Sequence, residues 1–260
     1  MTATPAGGGW QLCWRQLLDA IVRVDSIGAQ EQLIARLASP RGVRILGFVN
    51  AHAMNSVVRS PDFFRSIRSA DMLLRDGSGM AILMRLLKLP PGLNLNGTDL
   101  IPRIVARFAG AGIALFGTEE PYLSRAREAV QSRLAPGSRC ITAHGFHDDA
   151  AYLALASQHR PALIVLGMGM PRQEAVAVAL RNALGSPCLI VCGGAILDFL
   201  GERHRRAPGW MRRTGLEWLF RLLREPRRLF SRYVVGNPVF LARAVSLAAS
   251  NREPASTPLP

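Results

Sequence analysis

Residues 161–180, PALIVLGMGMPRQEAVAVAL, decide the fold. An apolar run at Leu163–Gly167 ends in a turn rich in glycine, and a stretch with a broad apolar face follows over Arg172–Leu184. A strand, a glycine turn and a helix in this order form one βα unit. Because the strand is apolar at nearly every position, both of its faces should be buried, which is typical of a parallel sheet covered by helices.

The first 200 residues repeat this alternation of short apolar runs and amphipathic stretches. The pattern predicts an α/β fold with a Rossmann-like parallel sheet flanked by helices. The predicted strands are Val43–Val49, Met72–Leu74, Ile113–Phe116, Ser138–Thr142, Leu163–Gly167 and Leu189–Cys192. A further clear helix is predicted over Glu120–Leu134, with Pro121 in its first turn.

The last 60 residues have a different composition, with 12 arginines against 4 acidic residues. Because proline disfavours a helical conformation in the residue before it, Pro226 and Pro238 should divide this segment. Three helices are predicted, at about Pro208–Arg224, Pro226–Val235 and Pro238–Ala249. We therefore expect an α/β domain over residues 1–200, a basic helical C-terminal appendage over 201–250 and a disordered tail over 251–260.

The charge of the whole chain is +14, from 32 basic and 18 acidic residues. Such a surplus of arginine suits phosphate groups, whether of a nucleotide, a lipid diphosphate, an anionic bilayer or a nucleic acid. Aromatic residues make up only 7% of the chain, and the excess charge is concentrated in the appendage. A nucleic acid is therefore the less favoured partner, since its binding usually needs aromatic stacking or a basic face across the domain.

Other features bear on the cellular compartment. No apolar run reaches the roughly 18 to 20 residues that span a bilayer, and the N-terminus lacks the pattern of a signal peptide. We expect a cytoplasmic protein. Its four cysteines form no CxxC pair, which argues against a zinc site or a disulfide framework and favours small core residues. They are Cys13, Cys140, Cys188 and Cys192.

Two strand ends are followed by polar residues that could contact a ligand, because ligands of an open parallel sheet bind beyond the carboxyl ends of its strands. Asn50 follows the first strand and could orient a hydroxyl of the ligand or cap the next helix, while His52 could titrate. Asp76 follows the second strand, as a candidate general base or a turn residue. Gly77 would allow a close approach of the backbone, and Ser78 could cap the next helix.

Two further loops are candidates. Asn96 and Asp99 lie where a polar loop opens a helix, and they could cap that helix or contact a ligand. Gly167 and Gly169 form a turn typical of phosphate binding, but this turn matches neither GxGxxG nor GxxxxGK[ST], which disfavours dinucleotide binding and P-loop hydrolysis. The chain also lacks Asp-x-Asp, HExxH and GxSxG motifs. Arginines rather than a metal would then neutralise a diphosphate.

Seven motifs together resemble the WecG/TagA/CpsF family of bacterial glycosyltransferases. They begin at Asp76 (DGSG), Asn96 (NGTDL), Leu115 (LFG), His144 (HGF), Leu166 (LGMGMPRQE), Cys192 (CGGAILDFLGERHRRAP) and Gly215 (GLEWLFRLLREPRRLFSRY). The resemblance implies an inverting, metal-independent enzyme without a cofactor. Its donor would be a UDP-sugar, and its acceptor a sugar linked to polyprenyl diphosphate at the cytoplasmic face of the membrane.

The same resemblance assigns roles to residues. Asp76 resembles the catalytic base, Gln173 a residue near the active site, and Arg221, Arg228 and Arg232 the arginines that bring positive charge to a diphosphate. The full set of predicted substrate-binding residues is Asn50, Gly77, Ser78, Asn96, Asp99, Gly167, Gly169, Gln173, Arg206, Arg221, Arg228 and Arg232. The appendage would close over the active site and attach the enzyme to an anionic membrane surface, with a homo-oligomer as a further expectation.

The donor sugar is predicted from positions at which this sequence differs from other members of the family. Phe48 replaces a threonine and Asn94 an arginine of members that transfer N-acetylmannosamine, and the NLNGTD stretch is closer to β-1,4-glucosyltransferases of exopolysaccharide pathways. Glucose is therefore the expected sugar, and N-acetylmannosamine the alternative. A different class, a nucleic-acid-binding or non-catalytic membrane-associated protein, is the second alternative.

Overall fold

A computed structural model describes residues 9–250, and within them six parallel strands form one sheet in the order β2-β1-β6-β5-β3-β4. The strands are β1 Val43–Val49, β2 Met72–Arg75, β3 Gly112–Gly117, β4 Arg139–Ala143, β5 Leu163–Gly167 and β6 Cys188–Cys192. Ile45 of β1 lies opposite Ile190 of β6, and Val49 opposite Arg75 of β2. The predicted α/β class and all six strands are confirmed.

Helices cover both faces of this sheet. In chain order they are α1 Gly9–Ala20, α2 Ile27–Leu37, α3 Ala51–Arg59, α4 Pro61–Arg68, α5 Ser78–Leu86, α6 Gly97–Val105, α7 Tyr122–Ala129, α8 Asp149–His159, α9 Arg172–Ala183, α10 Ile196–Leu200, α11 Gly209–Arg213, α12 Glu217–Arg224, α13 Pro226–Phe230 and α14 Gly236–Ser250. Successive residues of β5 point to opposite faces: Leu163 and Val165 pack with α2, α6 and α7, whereas Ile164 and Leu166 pack with α8 and α9. Over the described residues, every helix is too short or too polar to cross a bilayer.

Three predicted helices differ from the structure. The helix expected over Glu120–Leu134 starts at Tyr122 and ends in a π-helical turn over Val130–Leu134. The one expected over Pro208–Arg224 is divided into α11 and α12, because Gly215 adopts φ +75°, a left-handed conformation that ends a helix. The last one begins at Gly236 rather than Pro238, since a proline in the first turn of a helix has no N–H to satisfy.

The last helix is part of the main core, although the predicted domain boundary assigned it to the appendage. Phe240 of α14 is 1% exposed and packs on Trp14, with ring centroids 5.3 Å apart. Asn55 of α3 donates to the Gly236 carbonyl oxygen (2.7 Å) and accepts from Arg243 (3.0 Å). Helix α14 therefore fixes the end of the appendage to the α/β domain. The predicted tail over 251–260 lies outside the described residues.

The cysteines occupy two kinds of environment. Cys188 and Cys192 are buried in β6, as expected of small core residues. Cys13 of α1 and Cys140 of the edge strand β4 are only partly buried, and both pack against the edge of the core.

Candidate active site

The strand order brings three of the predicted loops, together with the loop after β6, to one edge of the sheet. Strands β2, β1, β6 and β5 are neighbours, so the segments that follow them lie side by side. Asp76 follows β2, Asn50 follows β1, Gly193 follows β6 and Gly169 follows just after β5. The candidate site lies at this carboxyl edge, where open parallel sheets bind their ligands.

Asp76 and Asn50 are joined by a hydrogen bond between the ends of two neighbouring strands. Asn50 Nδ2 donates to Asp76 Oδ2 at 3.2 Å, while Asn50 Oδ1 accepts from the Ala53 backbone N–H and caps α3. The Asn50 side chain therefore caps the helix and also contacts Asp76 in the candidate site. The cap fixes the amide and leaves its N–H group aimed at the carboxylate.

The ionisation of Asp76 is set by opposing effects. Burial raises the pKa of Asp76, while the Asn50 hydrogen bond and the charges of Arg232, Arg221 and Arg75 act to lower it. Burial is the largest effect, so the pKa lies above that of an ordinary aspartate. A carboxylate with a raised pKa is a stronger base, which suits proton abstraction near neutral pH.

The turn after Asp76 differs from the expectation at one position. Gly77, with φ +88°, is the N-cap of α5, and its N–H donates to Asn94 Oδ1 at 2.9 Å. Ser78 does not cap the helix, because it lies inside the first turn, and its hydroxyl donates instead to the Gly215 carbonyl oxygen at 3.4 Å. Ser78 therefore links this turn to the appendage.

Asn96 and Asp99 also connect the sheet domain to the appendage. Asn96 caps α6 by accepting from the Asp99 backbone N–H, and its amide donates to Asp99 Oδ2 at 2.7 Å. Arg206 donates to Asp99 Oδ1 at 2.5 Å, and Arg212 lies 3.7 Å from the same oxygen. Burial acts to raise the pKa of Asp99, but the hydrogen bonds from Arg206 and Asn96 hold it below its usual value.

Three arginines of the appendage have buried N–H groups that lack a hydrogen-bond acceptor among residues 9–250. These groups are Nε and Nη2 of Arg206, Nε of Arg221 and Nε of Arg232. Arg221 and Arg232 both act electrostatically on Asp76, and the Arg221 guanidinium lies 5.5 Å from the ring centroid of Phe199. Buried donors without acceptors are costly, so this cluster is suited to an anion with several oxygens.

The structure does not bring Arg228 into this cluster. Its exposed side chain pairs with Glu225, and Glu225 Oε1 in turn lies 3.4 Å from Nδ1 of His204. His52 also differs from expectation. Burial, together with the charges of Arg232 and Arg59, lowers the pKa of His52 to about 4, so its imidazole is neutral at physiological pH and does not titrate there.

Gln173 is 1% exposed, so its side chain is buried rather than open to solvent. Its Oε1 accepts from the Gly194 backbone N–H at 2.8 Å, and its Nε2 donates to Glu174 Oε1 at 2.8 Å. Gln173 thus holds the turn after β6. Gly167 packs against Leu197, where a Cβ would lie 2.7 Å from a side-chain carbon, whereas the space around the Gly169 Cα is open.

Glu174 is a buried carboxyl group next to Gln173 that sequence reasoning did not single out. Its side chain is buried beside the loop after β6, and its Oε2 has no hydrogen-bond partner among the described residues. Burial raises the pKa of Glu174 to about 7. The signal in the sequence was its position, directly after Gln173 in the first turn of a helix that follows a buried strand.

An α/β sheet that ends in a buried carboxylate near arginines with unpaired N–H groups is suited to binding an anionic, phosphorylated ligand. The chain belongs to the WecG/TagA/CpsF family of glycosyl transferases, whose family model matches residues 17–254. This confirms the resemblance and the predicted enzyme class.

Two relatives carry the same name, N-acetylglucosaminyldiphosphoundecaprenol N-acetyl-beta-D-mannosaminyltransferase. The protein of Staphylococcus aureus (strain MW2) is 26% identical over 184 residues, which cover 69% of this chain and 72% of the relative. The protein of Bacillus subtilis (strain 168) is 25% identical over 187 residues, or 71% and 73%.

The predicted preference for glucose is not supported, because both relatives are named for N-acetylmannosamine transfer. Phe48 is 4% exposed and packs in the core beneath Gly97, and Asn94 accepts a hydrogen bond from the Gly77 backbone N–H. Both residues support loops of the candidate site.

Glu174→Gln should change how stability depends on pH. Because the pKa of Glu174 rises from 4.5 to about 7 on folding, its ionisation opposes folding increasingly as pH rises through this interval. Glutamine avoids this cost. The free energy of unfolding of the variant, relative to wild type, should therefore increase between pH 4.5 and pH 8 by up to about 3 kcal/mol.

Urea denaturation at both pH values measures this difference, and the exposed Glu128→Gln on α7 is the matched control. An offset between Glu174→Gln and wild type that is equal at both pH values would show that Glu174 does not titrate in this range.

Proposed function

We propose that this chain transfers N-acetylmannosamine from its UDP derivative to N-acetylglucosaminyl diphospho-undecaprenol. The sugar and the acceptor come from the names of the two relatives. The chemistry comes from one observation: the buried N–H groups of Arg206, Arg221 and Arg232 lack acceptors, and two of these arginines act directly on the charge of Asp76. A nucleotide diphosphate supplies the oxygens that these donors need.

In the proposed reaction, Asp76 removes the proton from the attacking hydroxyl of the acceptor sugar. The hydroxyl oxygen forms a bond to the anomeric carbon of the donor while the bond from that carbon to the phosphate oxygen breaks, which inverts the configuration. The electron pair of the broken bond remains on the UDP leaving group. Arg221 and Arg232 stabilise that negative charge, so the proposal needs neither a metal nor a cofactor.

The other site residues have supporting roles in this proposal. Asn50 orients the Asp76 carboxylate, and Gly77 and Gly169 allow the substrate close to the backbone. Asp99 and Asn96 hold Arg206 beside the diphosphate, and Ser78 fastens the appendage over the site. Gln173 and Gly167 act beneath the cleft by supporting its loops, and Arg228 acts from outside through Glu225.

The donor is tested by incubating the full chain with UDP-N-acetylmannosamine, UDP-glucose or UDP-N-acetylglucosamine and a synthetic N-acetylglucosaminyl diphosphate lipid. We expect transfer from UDP-N-acetylmannosamine, with or without EDTA. Asp76→Asn should lower kcat by about 10² to 10⁴-fold and leave UDP binding within a few fold, because it removes the base and keeps the hydrogen-bonding shape.

Exclusive use of UDP-glucose would return the assignment to the glucosyl alternative. Full activity of Asp76→Asn would contradict the proposed base. No transfer from any donor, together with salt-sensitive binding of an oligonucleotide, would contradict the enzyme proposal and favour the nucleic-acid alternative.

Replacing Arg221 or Arg232 by glutamine should weaken UDP binding. Each change removes a buried charge that would face the diphosphate, and we expect the Kd measured by calorimetry to rise about 10-fold or more. The matched control is Arg227→Gln, since Arg227 is an exposed arginine of the same segment. Equal effects at all three positions would mean that net charge, rather than the buried cluster, attracts UDP.

We also propose that the outer side of the appendage lies on the anionic inner face of the cytoplasmic membrane, as expected of a peripheral enzyme with a lipid-linked acceptor. Leu223 and Phe230 are 72% and 54% exposed, and the exposed Arg224 and Arg227 lie beside them in the chain. Each arginine near an anionic leaflet contributes on the order of 1 kcal/mol. The predicted homo-oligomer stays a prediction.

The double variant with Leu223→Ser and Phe230→Ser should sediment less with vesicles containing phosphatidylglycerol than wild type does. Ile27→Ser, an equally polar change at an exposed position of α2, should leave sedimentation unchanged. Unaltered binding of the double variant would contradict the proposed membrane surface.

A further inference from the structure

Arg75 is a buried arginine next to the proposed base. It is the last residue of β2 and is 5% exposed. Its guanidinium donates to three backbone carbonyl oxygens, those of Pro91 (2.8 Å), Gly77 (3.0 Å) and Gly92 (3.1 Å). One side chain therefore connects the turn after Asp76 to a second turn farther along the chain.

The Arg75 contact completes the fixation of Gly77. The Gly77 N–H donates to Asn94 and the Gly77 carbonyl oxygen accepts from Arg75, while the Asp76 N–H donates to the Val49 carbonyl oxygen at 2.9 Å. The peptide groups on both sides of Asp76 are thus held. These bonds set the direction of the Cα–Cβ bond of Asp76, and the hydrogen bond from Asn50 then holds its carboxylate.

The charge of Arg75 has no ion-pair partner among the described residues. Its bonds go to carbonyl oxygens, and the ion pairs of residues 9–250 do not include it. Burial lowers the pKa of Arg75, and the neighbouring charge of Asp76 acts to raise it. Burying a cation in this position lowers the stability of the fold, so we expect Arg75 to have a role that offsets this loss.

We propose that Arg75 is a positioning residue for the transfer reaction: it fixes the turn that carries Asp76 and favours the ionised carboxylate that accepts the proton. This inference rests on the proposed function only for its catalytic part. The effect on Asp76 itself can be measured in the free protein.

Other groups also act on Asp76, but they lie on different elements of the fold from Arg75. Arg221 of α12 and Arg232 come from the appendage, Asn50 comes from the start of α3, and Glu217 of α12 opposes the ionisation of Asp76. Arg75 is the cation that the sheet itself supplies. Its influence on Asp76 should therefore not depend on the arginines of the appendage.

The test compares Arg75→Gln, which removes the charge, with Arg75→Lys, which keeps the charge but loses the forked geometry. Carbon NMR of the full chain labelled at aspartate carboxyl groups follows the titration of Asp76, assigned with Asp76→Asn. In Arg75→Gln we expect the midpoint to rise by about one unit or more, and the acidic limb of the kcat profile to rise with it. In Arg75→Lys the midpoint should stay within about half a unit while kcat falls about 10-fold or more.

The matched control is Arg44→Gln, which removes an arginine near the opposite end of the neighbouring strand β1, where it pairs with Asp71. The control should leave the Asp76 titration unchanged. An unchanged Asp76 midpoint in Arg75→Gln would overturn the proposal, even if the melting temperature falls. If Arg75→Gln does not fold, full kcat in Arg75→Lys overturns the positioning role. A shifted midpoint in a protein that transfers no sugar would leave the effect on Asp76 in place and reject the proposed function.

Discussion

The candidate site depends on the balance between burial and positive charge around one carboxylate. Burial raises the pKa of Asp76, and its neighbours oppose this effect from two directions. Arg75 acts from the sheet, and Arg221 and Arg232 act from the appendage. Arg221 and Arg232 also have buried N–H groups without an acceptor among the described residues. In the proposed reaction these two arginines would therefore act on both the base and the leaving group.

This arrangement makes the appendage part of the site's electrostatics. Arg206 is held by Asp99 at the start of α6, and the Ser78 hydroxyl meets the backbone of Gly215. These contacts join the loops after β2 to the segments that carry the cations. A sheet domain without them would keep the carboxylate and lose most of the positive charge around it. The appendage thus returns to the carboxyl edge of the sheet and supplies positive charge to the candidate site.

Sequence patterns predicted the fold closely because the central strands are buried on both faces and consist of nearly uninterrupted apolar residues. The strand order then placed Asn50 and Asp76 together, as expected of neighbouring strands. Sequence patterns failed where a long-range contact or the backbone conformation of a single residue determines the structure. The positive φ of Gly215 divides a predicted helix. No local signal indicated that Gln173 would be buried against the turn after β6. The pairing of Arg206 with Asp99 joins residues 107 positions apart, which no spacing rule anticipates.

The anchoring of the chain on both sides of the arginine cluster limits how the enzyme can be dissected. Gly201 packs tightly against the Tyr122 backbone, where a Cβ would lie 2.2 Å from the carbonyl oxygen, and Phe240 is inserted beside Trp14. The chain between these points is a bridge with two fixed ends rather than a free arm. Deleting it from the C-terminal side would remove Phe240 and expose the core around Trp14. Insoluble or inactive truncations would then report a damaged core, and point substitutions on the bridge are the informative way to study it.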